Sequence, residues 1–85
     1  MIWDLIITAK AERVLEKLDT KDQRIIVATL TTMREDPFRG NIKRLHNERA
    51  DFRRRVGNYR IFFDADPILF KVDVIDIARR TSTTY

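Results

Sequence analysis

The sequence contains no cysteine, and only two glycines and two prolines among 85 residues. Without cysteine the chain has no disulfide framework and no thiolate to ligate a metal or act as a nucleophile. Long apolar runs are also missing, since none approaches the about 20 residues of a membrane-spanning helix. Residues 2–8 contain Asp4 and no basic leader, so they do not predict a signal peptide. We therefore expect a soluble, cytoplasmic protein with no membrane partner.

The chain likewise lacks an internal repeat, a low-complexity tract and a linker. At this length a single domain over residues 1–85 is expected, with a modest core and little stability to spare. Its later aspartates alternate with apolar residues and lack the compact spacing of a metal-binding loop. We predict neither a metal nor a cofactor, and assign these residues to solvated surface or ion pairs: Asp64, Asp66, Asp73 and Asp76.

Hydrophobic spacing in the first half predicts a strand followed by two helices. Residues 2–7 are short, bulky and apolar, which favours a strand. Thr8 is expected to cap a helix, because apolar residues follow at helical spacing. These residues are Ala11, Val14, Leu15 and Leu18. Thr20 with Gln23 has the form of a capping box, and the second helix should end before Pro37.

After Gly40 the pattern becomes that of strands. We predict strands at 52–56, 59–63 and 69–77, with turns at 57–58 and 64–67. The expected fold is α+β in the order β-α-α-β-β-β. In it a two-helix hairpin packs on one face of a four-stranded, mainly antiparallel sheet. The opposite face of that sheet would stay open.

Positive charge is concentrated in one stretch of the chain. The net charge is +4, and residues 43–60 hold seven basic and two acidic residues. Strand alternation places Arg53 and Arg55 on one face, and pairing through the turn can add Arg60. Guanidinium groups match phosphate bidentately, so this patch suits an RNA backbone. The plainer alternative is a solvated sheet face whose charges block edge pairing.

Three segments resemble the RelE/ParE family of bacterial toxins. Residues 52–63, FRRRVGNYRIFF, resemble the family's signature hairpin. Residues 36–45 are similar to its segment between the second helix and the sheet, and Arg79 followed six residues later by Tyr85 resembles the RelE-type ending. Because the order of elements also agrees, the resemblance covers nearly the whole chain.

This resemblance implies a metal-independent endonuclease that enters the ribosomal A site, cuts mRNA and inhibits translation. The implied catalytic residues are Arg60, Arg79 and Tyr85, with Tyr85 as the general base. The implied phosphate-binding residues are Arg53, Arg55, Lys43, Arg44 and Arg80. Distance to Tyr85 favours Arg79 as the late arginine, and Arg80 is its alternative. A cognate antitoxin in a hetero-oligomer is implied as well.

Other functions stay open at this point. RelE-like enzymes often carry lysines where this chain has Arg53 and Arg55, and arginine is neither a base nor a good acid. That departure favours a weaker nuclease, or a ParE-like inhibitor of DNA gyrase without nuclease activity. A third possibility is a non-catalytic module that binds RNA or an acidic antitoxin. The single histidine, His46, is expected in an exposed loop, and Trp3 is expected to pack in the sheet.

Overall fold

Two helices cover one face of a mixed, five-stranded sheet. The structure is a computed structural model that describes residues 2–46 and 49–80. The elements are β1 (Asp4–Ile7), α1 (Ala9–Lys17), α2 (Thr20–Glu35), β2 (Ile42–Arg44), β3 (Phe52–Val56), β4 (Tyr59–Asp66) and β5 (Lys71–Arg79). Within this described part, neither helix is long and apolar enough to cross a membrane.

The strands lie in the order β1-β5-β4-β3-β2. As predicted, β3, β4 and β5 pair antiparallel and β1 joins their sheet. The structure adds that β1 lies at the edge, parallel to β5. The predicted number of four strands is wrong, because β2 pairs antiparallel with β3. This extra strand has only three residues, so alternation over two residues cannot show itself in the sequence.

The first helix begins where the sequence predicts. The Thr8 hydroxyl accepts a hydrogen bond from the Ala11 amide at 3.3 Å, which satisfies a free donor of the first turn. The same hydroxyl donates to the Ile75 carbonyl at 2.9 Å. Thr8 therefore caps α1 and fastens it to β5.

The second helix begins one residue earlier than the predicted capping box. Its N-cap is Asp19, whose carboxylate accepts from the Asp22 amide at 2.8 Å. Thr20 is the first helical residue, and the Gln23 side chain donates to the Leu15 carbonyl of α1 instead. The predicted capping box of Thr20 and Gln23 is wrong, because Asp19, directly before Thr20, is an equally good N-cap residue. The helix ends at Glu35, before Pro37, as predicted.

The turn predicted at residues 64–67 lies about three residues later. Strand β4 continues to Asp66, the turn occupies residues 67–70, and β5 begins at Lys71. The Asp66 carboxylate accepts hydrogen bonds from the amides of Ile68 and Leu69, at 2.9 and 3.2 Å. Aspartate side chains stabilise turns in this way. The aspartates before Pro67 therefore belong to the strand and initiate the turn from its end.

The core lies between the helices and the sheet. From the sheet it contains Ile61 and Phe63 of β4 and Val72, Val74 and Ile77 of β5, and from the helices Ala11, Ile26, Leu30 and Met33. Trp3 precedes β1 and is buried, with its ring edge-on to Phe70 at a centroid distance of 5.1 Å. Trp3 was expected to pack in the sheet; it belongs to the buried core but lies just before β1, with its ring against residues outside the strands.

One arginine of β3 points into the helix-covered side. Arg54 pairs with Ile61 and Ile42, is half-buried, and donates to the Arg39 carbonyl at 2.5 Å. Burial lowers the pKa of its guanidinium. Arg54 thus ties β3 to the segment after α2.

That tie requires Gly40, and we expect Gly40→Ala to destabilise the fold. Gly40 has φ +103°, and a Cβ there would lie 2.7 Å from Cζ of Arg54. Gly57 is a matched control, since its φ is +55° and a Cβ would meet nothing within 4 Å. Strained backbone costs on the order of 1–3 kcal/mol, and the clash adds to that at Gly40 alone. Urea unfolding of both variants tests this, and an equal loss of free energy would contradict the Arg54 contact.

Candidate functional site

The pairing of β3 with β4 gathers arginines on the face that the helices leave uncovered. Arg55 lies opposite Arg60, and Arg53 lies opposite Phe62. Paired residues of an antiparallel ladder project to the same side of the sheet. Arg53, Arg55 and Arg60 therefore share one surface, as predicted, which we call the open face.

Strand β2 contributes one further cation to the open face. Lys43 pairs with Arg53 and so projects to the same side. Arg44 pairs with Phe52 on the helix-covered side, and its guanidinium lies 5.7 Å from the centre of the Phe52 ring. Both were predicted to bind phosphate, but only Lys43 lies on the open face with Arg53.

The two late arginines fall on opposite sides of the sheet. Arg79 pairs with Tyr59, whose hydroxyl donates to the Asp22 carboxylate of α2 at 2.6 Å. Arg79 is thus on the helix-covered side. The expectation that Arg79 meets Arg60 is wrong, because the residue opposite Arg60 in β5 is Ala78. Distance to Tyr85 in the sequence carries no information about the face.

Arg80 is the late arginine that joins the cluster. Its backbone amide donates to the Asn58 carbonyl at 2.5 Å, and its guanidinium donates to the Gly57 carbonyl at 3.4 Å. Partial burial lowers the pKa of Arg80, and the positive charges of Arg55, Arg60 and Arg53 lower it further. These interactions fix Arg80 at the turn end of the open face.

A groove of about 410 Å³ runs through these side chains, and we call it the basic groove. It is lined by Lys43, Leu45, Arg49, Arg53, Arg55, Arg60 and Phe62. Leu45 and Arg49 come from the segment between β2 and β3. The Arg49 guanidinium lies 4.5 Å from the centre of the Phe62 ring, a cation–π contact. Sequence reasoning counted Arg49 among the basic residues but did not place it in the site, because loop residues have no period.

The electrostatics of the basic groove favour an anionic ligand. Like charges directly opposite in a sheet are destabilising, and Arg55 faces Arg60 in this way. Within residues 2–46 and 49–80, no carboxylate lies within ion-pair distance of Arg53, Arg55 or Arg60. A phosphate bound bidentately would relieve this repulsion and use the planar donors. The arginines supply fixed positive charge here, and among the described residues that line the groove Lys43 is the one cation that is not a guanidinium.

The far end of the open face has the opposite sign. A second cavity of about 390 Å³ is lined there by Asp51, Asp64, Ala65, Asp66, Pro67, Leu69, Lys71 and Asp73. In the part of the chain that is described, no group of three or more acidic or histidine side chains has the arrangement of a metal site. The open face thus carries negative charge at this end and positive charge at the end that lies at the Gly57 turn.

Tyr85 and His46 remain among the residues that the sequence analysis singled out. Tyr85 lies outside the described residues, so its predicted role as general base stays a prediction. His46 is exposed, as expected, and does not line the basic groove.

A helical hairpin packed on one face of a mixed sheet, with a basic groove on the other face, defines a small α+β protein. Two solved structures share this fold at a TM-score above 0.8. A chain of the toxin–antitoxin complex RelBE2 from Mycobacterium tuberculosis matches with a TM-score of 0.81 and 24% identity, over 94% of this chain and all of that one. A chain of the archaeal RelE–RelB complex from Pyrococcus horikoshii OT3 matches with a TM-score of 0.82 and 16% identity, over 98% and 100%.

No protein-family model and no curated protein matches the sequence. Identities of 24% and 16% establish a common fold only. The predicted RelE-like fold is thereby confirmed, with five strands in place of four.

Repulsion between the cations of the basic groove should lower the free energy of unfolding by a measurable amount. We expect Arg55→Gln to raise the free energy of unfolding by about 0.5 kcal/mol at low salt, because it removes the charge opposite Arg60. The gain should shrink at about 0.5 M salt, where screening acts over a few ångströms. Arg79→Gln is the control with the same change in net charge, because Arg79 pairs with Tyr59 on the helix-covered side. Urea unfolding at both salt concentrations tests this, and equal effects of the two variants would contradict it.

Tyr59 should make stability fall at alkaline pH. The hydrogen bond to Asp22 raises the pKa of Tyr59, and the nearby Arg79 lowers it in part. The folded state thus holds the phenol proton more tightly than the unfolded state, whose pKa is about 10. This contribution is complete below that pH and is lost as the pH rises through the folded pKa. Urea midpoints should therefore fall more steeply above about pH 10 in the wild type than in Tyr59→Phe. Parallel curves would rule out a role for Tyr59.

Proposed function

We propose that the chain is the toxin of a type II toxin–antitoxin system and a ribosome-dependent mRNA endonuclease. The observation that carries this proposal is the basic groove on the open face of a RelE-like fold. Its guanidiniums are bidentate donors that would suit the phosphates of a single strand. The ribosomal A site would supply mRNA as an extended, unpaired strand.

The reaction is a phosphoryl transfer within the RNA. The 2′-oxygen of one nucleotide attacks the adjacent phosphorus, and the bond from phosphorus to the 5′-oxygen of the next nucleotide breaks. A base accepts the 2′-hydroxyl proton, and an acid returns a proton to the departing 5′-oxygen. The products are a cyclic phosphate end and a free 5′-hydroxyl end. No electron transfer or metal is needed to balance this step.

The basic residues of the groove, together with Arg80 beside it, divide into two roles in this proposal. Arg60, which pairs with Arg55, and Arg80, which is held at the Gly57 turn, stabilise negative charge on the phosphoryl oxygens in the transition state. Arg53, Arg55 and Lys43 hold the neighbouring phosphates and so fix the register of the strand. Arg80 takes the place that the sequence prediction gave first to Arg79, because only Arg80 is beside Arg55 and Arg60.

Proton transfer is assigned to Tyr85 and Lys43. Guanidinium remains protonated at any working pH, which excludes the arginines as bases. A free phenol has a pKa of about 10, and the positive charge of the groove would lower that of a phenol beside it. Lys43 is the groove residue suited to return a proton to the departing oxygen.

An antitoxin partner is proposed on the strength of the two similar structures. Both of the matched chains come from complexes named for two proteins, RelBE2 and RelE–RelB. We propose that this chain likewise forms a hetero-oligomer with a cognate antitoxin, which would suppress its action on the ribosome and mRNA.

A gyrase inhibitor is the second candidate function. The observation in its favour is that arginine occupies the paired positions Arg53, Arg55 and Arg60, where a fast nuclease would profit from a proton donor. Such an inhibitor would bind a protein and cut no RNA. Supercoiling by purified gyrase, with and without the chain, separates the two functions.

Cleavage should depend on Arg60 and Arg80 but not on Arg79. With purified ribosomes and a defined mRNA, primer extension should reveal cuts in the A-site codon by the wild type. Arg60→Ala and Arg80→Ala should each slow cleavage by about 10²- to 10³-fold, the usual effect of losing one transition-state donor. Arg79→Ala has the same charge change one residue away, and it should retain most of the activity.

The same experiment contains the results that would overturn the proposal. A folded wild type that cuts no mRNA, with or without ribosomes, excludes the nuclease. Loss of cleavage in Arg79→Ala with full activity in Arg80→Ala would place the chemistry on the other side of the sheet. Tyr85→Phe tests the proposed base, and activity equal to that of the wild type would remove Tyr85 from the mechanism.

A further inference from the structure

Asp76 is a buried carboxylate on the open face, directly beside the basic groove. It pairs with Phe62 across β4 and β5, and only 5% of it is exposed. One carboxylate oxygen accepts from the Ile77 amide at 2.8 Å. The other lies 3.5 Å from Nζ of Lys10 and 3.5 Å from a guanidinium nitrogen of Arg49. Two cations from separate elements therefore meet at one oxygen.

Arg49 is held between this carboxylate and an aromatic ring. Its guanidinium contacts Asp76 and lies 4.5 Å from the centre of the Phe62 ring. The segment that carries it is fastened at its far end, where the Asp51 amide donates to the Asp64 carboxylate at 2.8 Å. Its two ends meet through a 2.8 Å hydrogen bond from the Leu45 amide to the Asp51 carbonyl. Leu45 and Arg49 both line the groove, so the described part of this segment forms one of its walls.

We propose that Asp76 is a positioning residue for RNA binding, acting through Arg49. The carboxylate holds Arg49 against Phe62, so that its guanidinium meets the phosphate chain in a fixed orientation. This inference rests on the proposed function, since it takes RNA as the ligand of the basic groove. It adds Arg49 to the RNA-binding residues and gives Asp76 a role that its negative charge alone would oppose.

Electrostatic repulsion and the ordering of Arg49 predict opposite effects on RNA binding when Asp76 is neutralised. A carboxylate beside a groove that binds phosphate repels the ligand, so its neutralisation should strengthen binding by simple electrostatics. If the carboxylate instead orders Arg49, neutralising Asp76 lets the Arg49 side chain move in the free protein. RNA binding is then weaker, because the side chain loses its conformational entropy only when the complex forms. The sign of the effect therefore distinguishes the two.

The experiment compares Asp76→Asn with Asp73→Asn. Asp73 lies on the same strand and the same face, opposite Asp64, so both variants change the net charge equally. The probe is a fluorescein-labelled, single-stranded RNA of mixed sequence, measured by anisotropy at about 0.1 M salt, where screening is moderate. We expect Asp76→Asn to weaken binding about five- to tenfold, and Asp73→Asn to leave it equal or tighter.

Coupling to Arg49 tests that the effect passes through that residue. Arg49→Ala should weaken binding, and adding Asp76→Asn to it should cause no further loss. Arg49 is half-exposed, so its variant should fold even where Asp76→Asn proves unstable to heat. Tighter binding by Asp76→Asn, or an undiminished loss in the Arg49→Ala background, would overturn the inference.

A second readout needs no RNA and separates this inference from the proposed function. In the wild type the Phe62 ring should shift the NMR signals of the Arg49 side chain upfield. Asp76→Asn should abolish that shift, while Asp73→Asn should keep it. If the wild type binds no RNA, the proposed function is wrong. If Asp76→Asn nevertheless abolishes the shift, Asp76 still positions Arg49. A shift that survives in a folded Asp76→Asn would overturn the inference itself.

Discussion

The register between β3 and β4 is the constraint on which the site depends. It sets Arg55 opposite Arg60 and Arg53 opposite Phe62, so every alternate residue of one strand is committed to one side. A slip of one residue would bring Arg54 to the open face and put Arg53 and Arg55 into the core. The buried Ile61 and Phe63 prevent that slip, because the helices cover only the side to which they point. The core thus selects which arginines can act together.

Arginines of one short strand serve two purposes on its two sides. Arg54 is half-buried and bonds to the segment after α2, where only a glycine at position 40 leaves room for it. Arg53 and Arg55 meet no described carboxylate and crowd other cations. Arg54 therefore stabilises the fold, whereas the repulsion around Arg53 and Arg55 destabilises it. Such opposition between stability and local charge is expected at functional sites, where binding of a ligand offsets the cost.

The fold was largely predictable from alternation and helical spacing, and so was the grouping of Arg53, Arg55 and Arg60. The errors occurred where those signals are short or absent. Strand β2 is too brief to show a period, and the end of β4 is set by the Asp66 side chain. The choice between Arg79 and Arg80 required the register of β5, which contains an irregularity where it pairs with Phe62 and Phe63. Because a single inserted residue exchanges the two faces, counting along the sequence could not decide it.

That irregularity also accounts for the position of Asp76. Opposite Phe62 the register brings Asp76 to the open face, and opposite Phe63 it brings Val74 to the core, so Ile75 is the additional residue between them. The carbonyl of Ile75, the residue at the bulge, accepts a hydrogen bond from the hydroxyl of Thr8. Thr8 also caps α1. The start of α1 in turn brings Lys10 within 3.5 Å of Asp76. One extra residue in β5 thus links the helix cap, the buried carboxylate and the wall of the basic groove, although these lie far apart in the sequence.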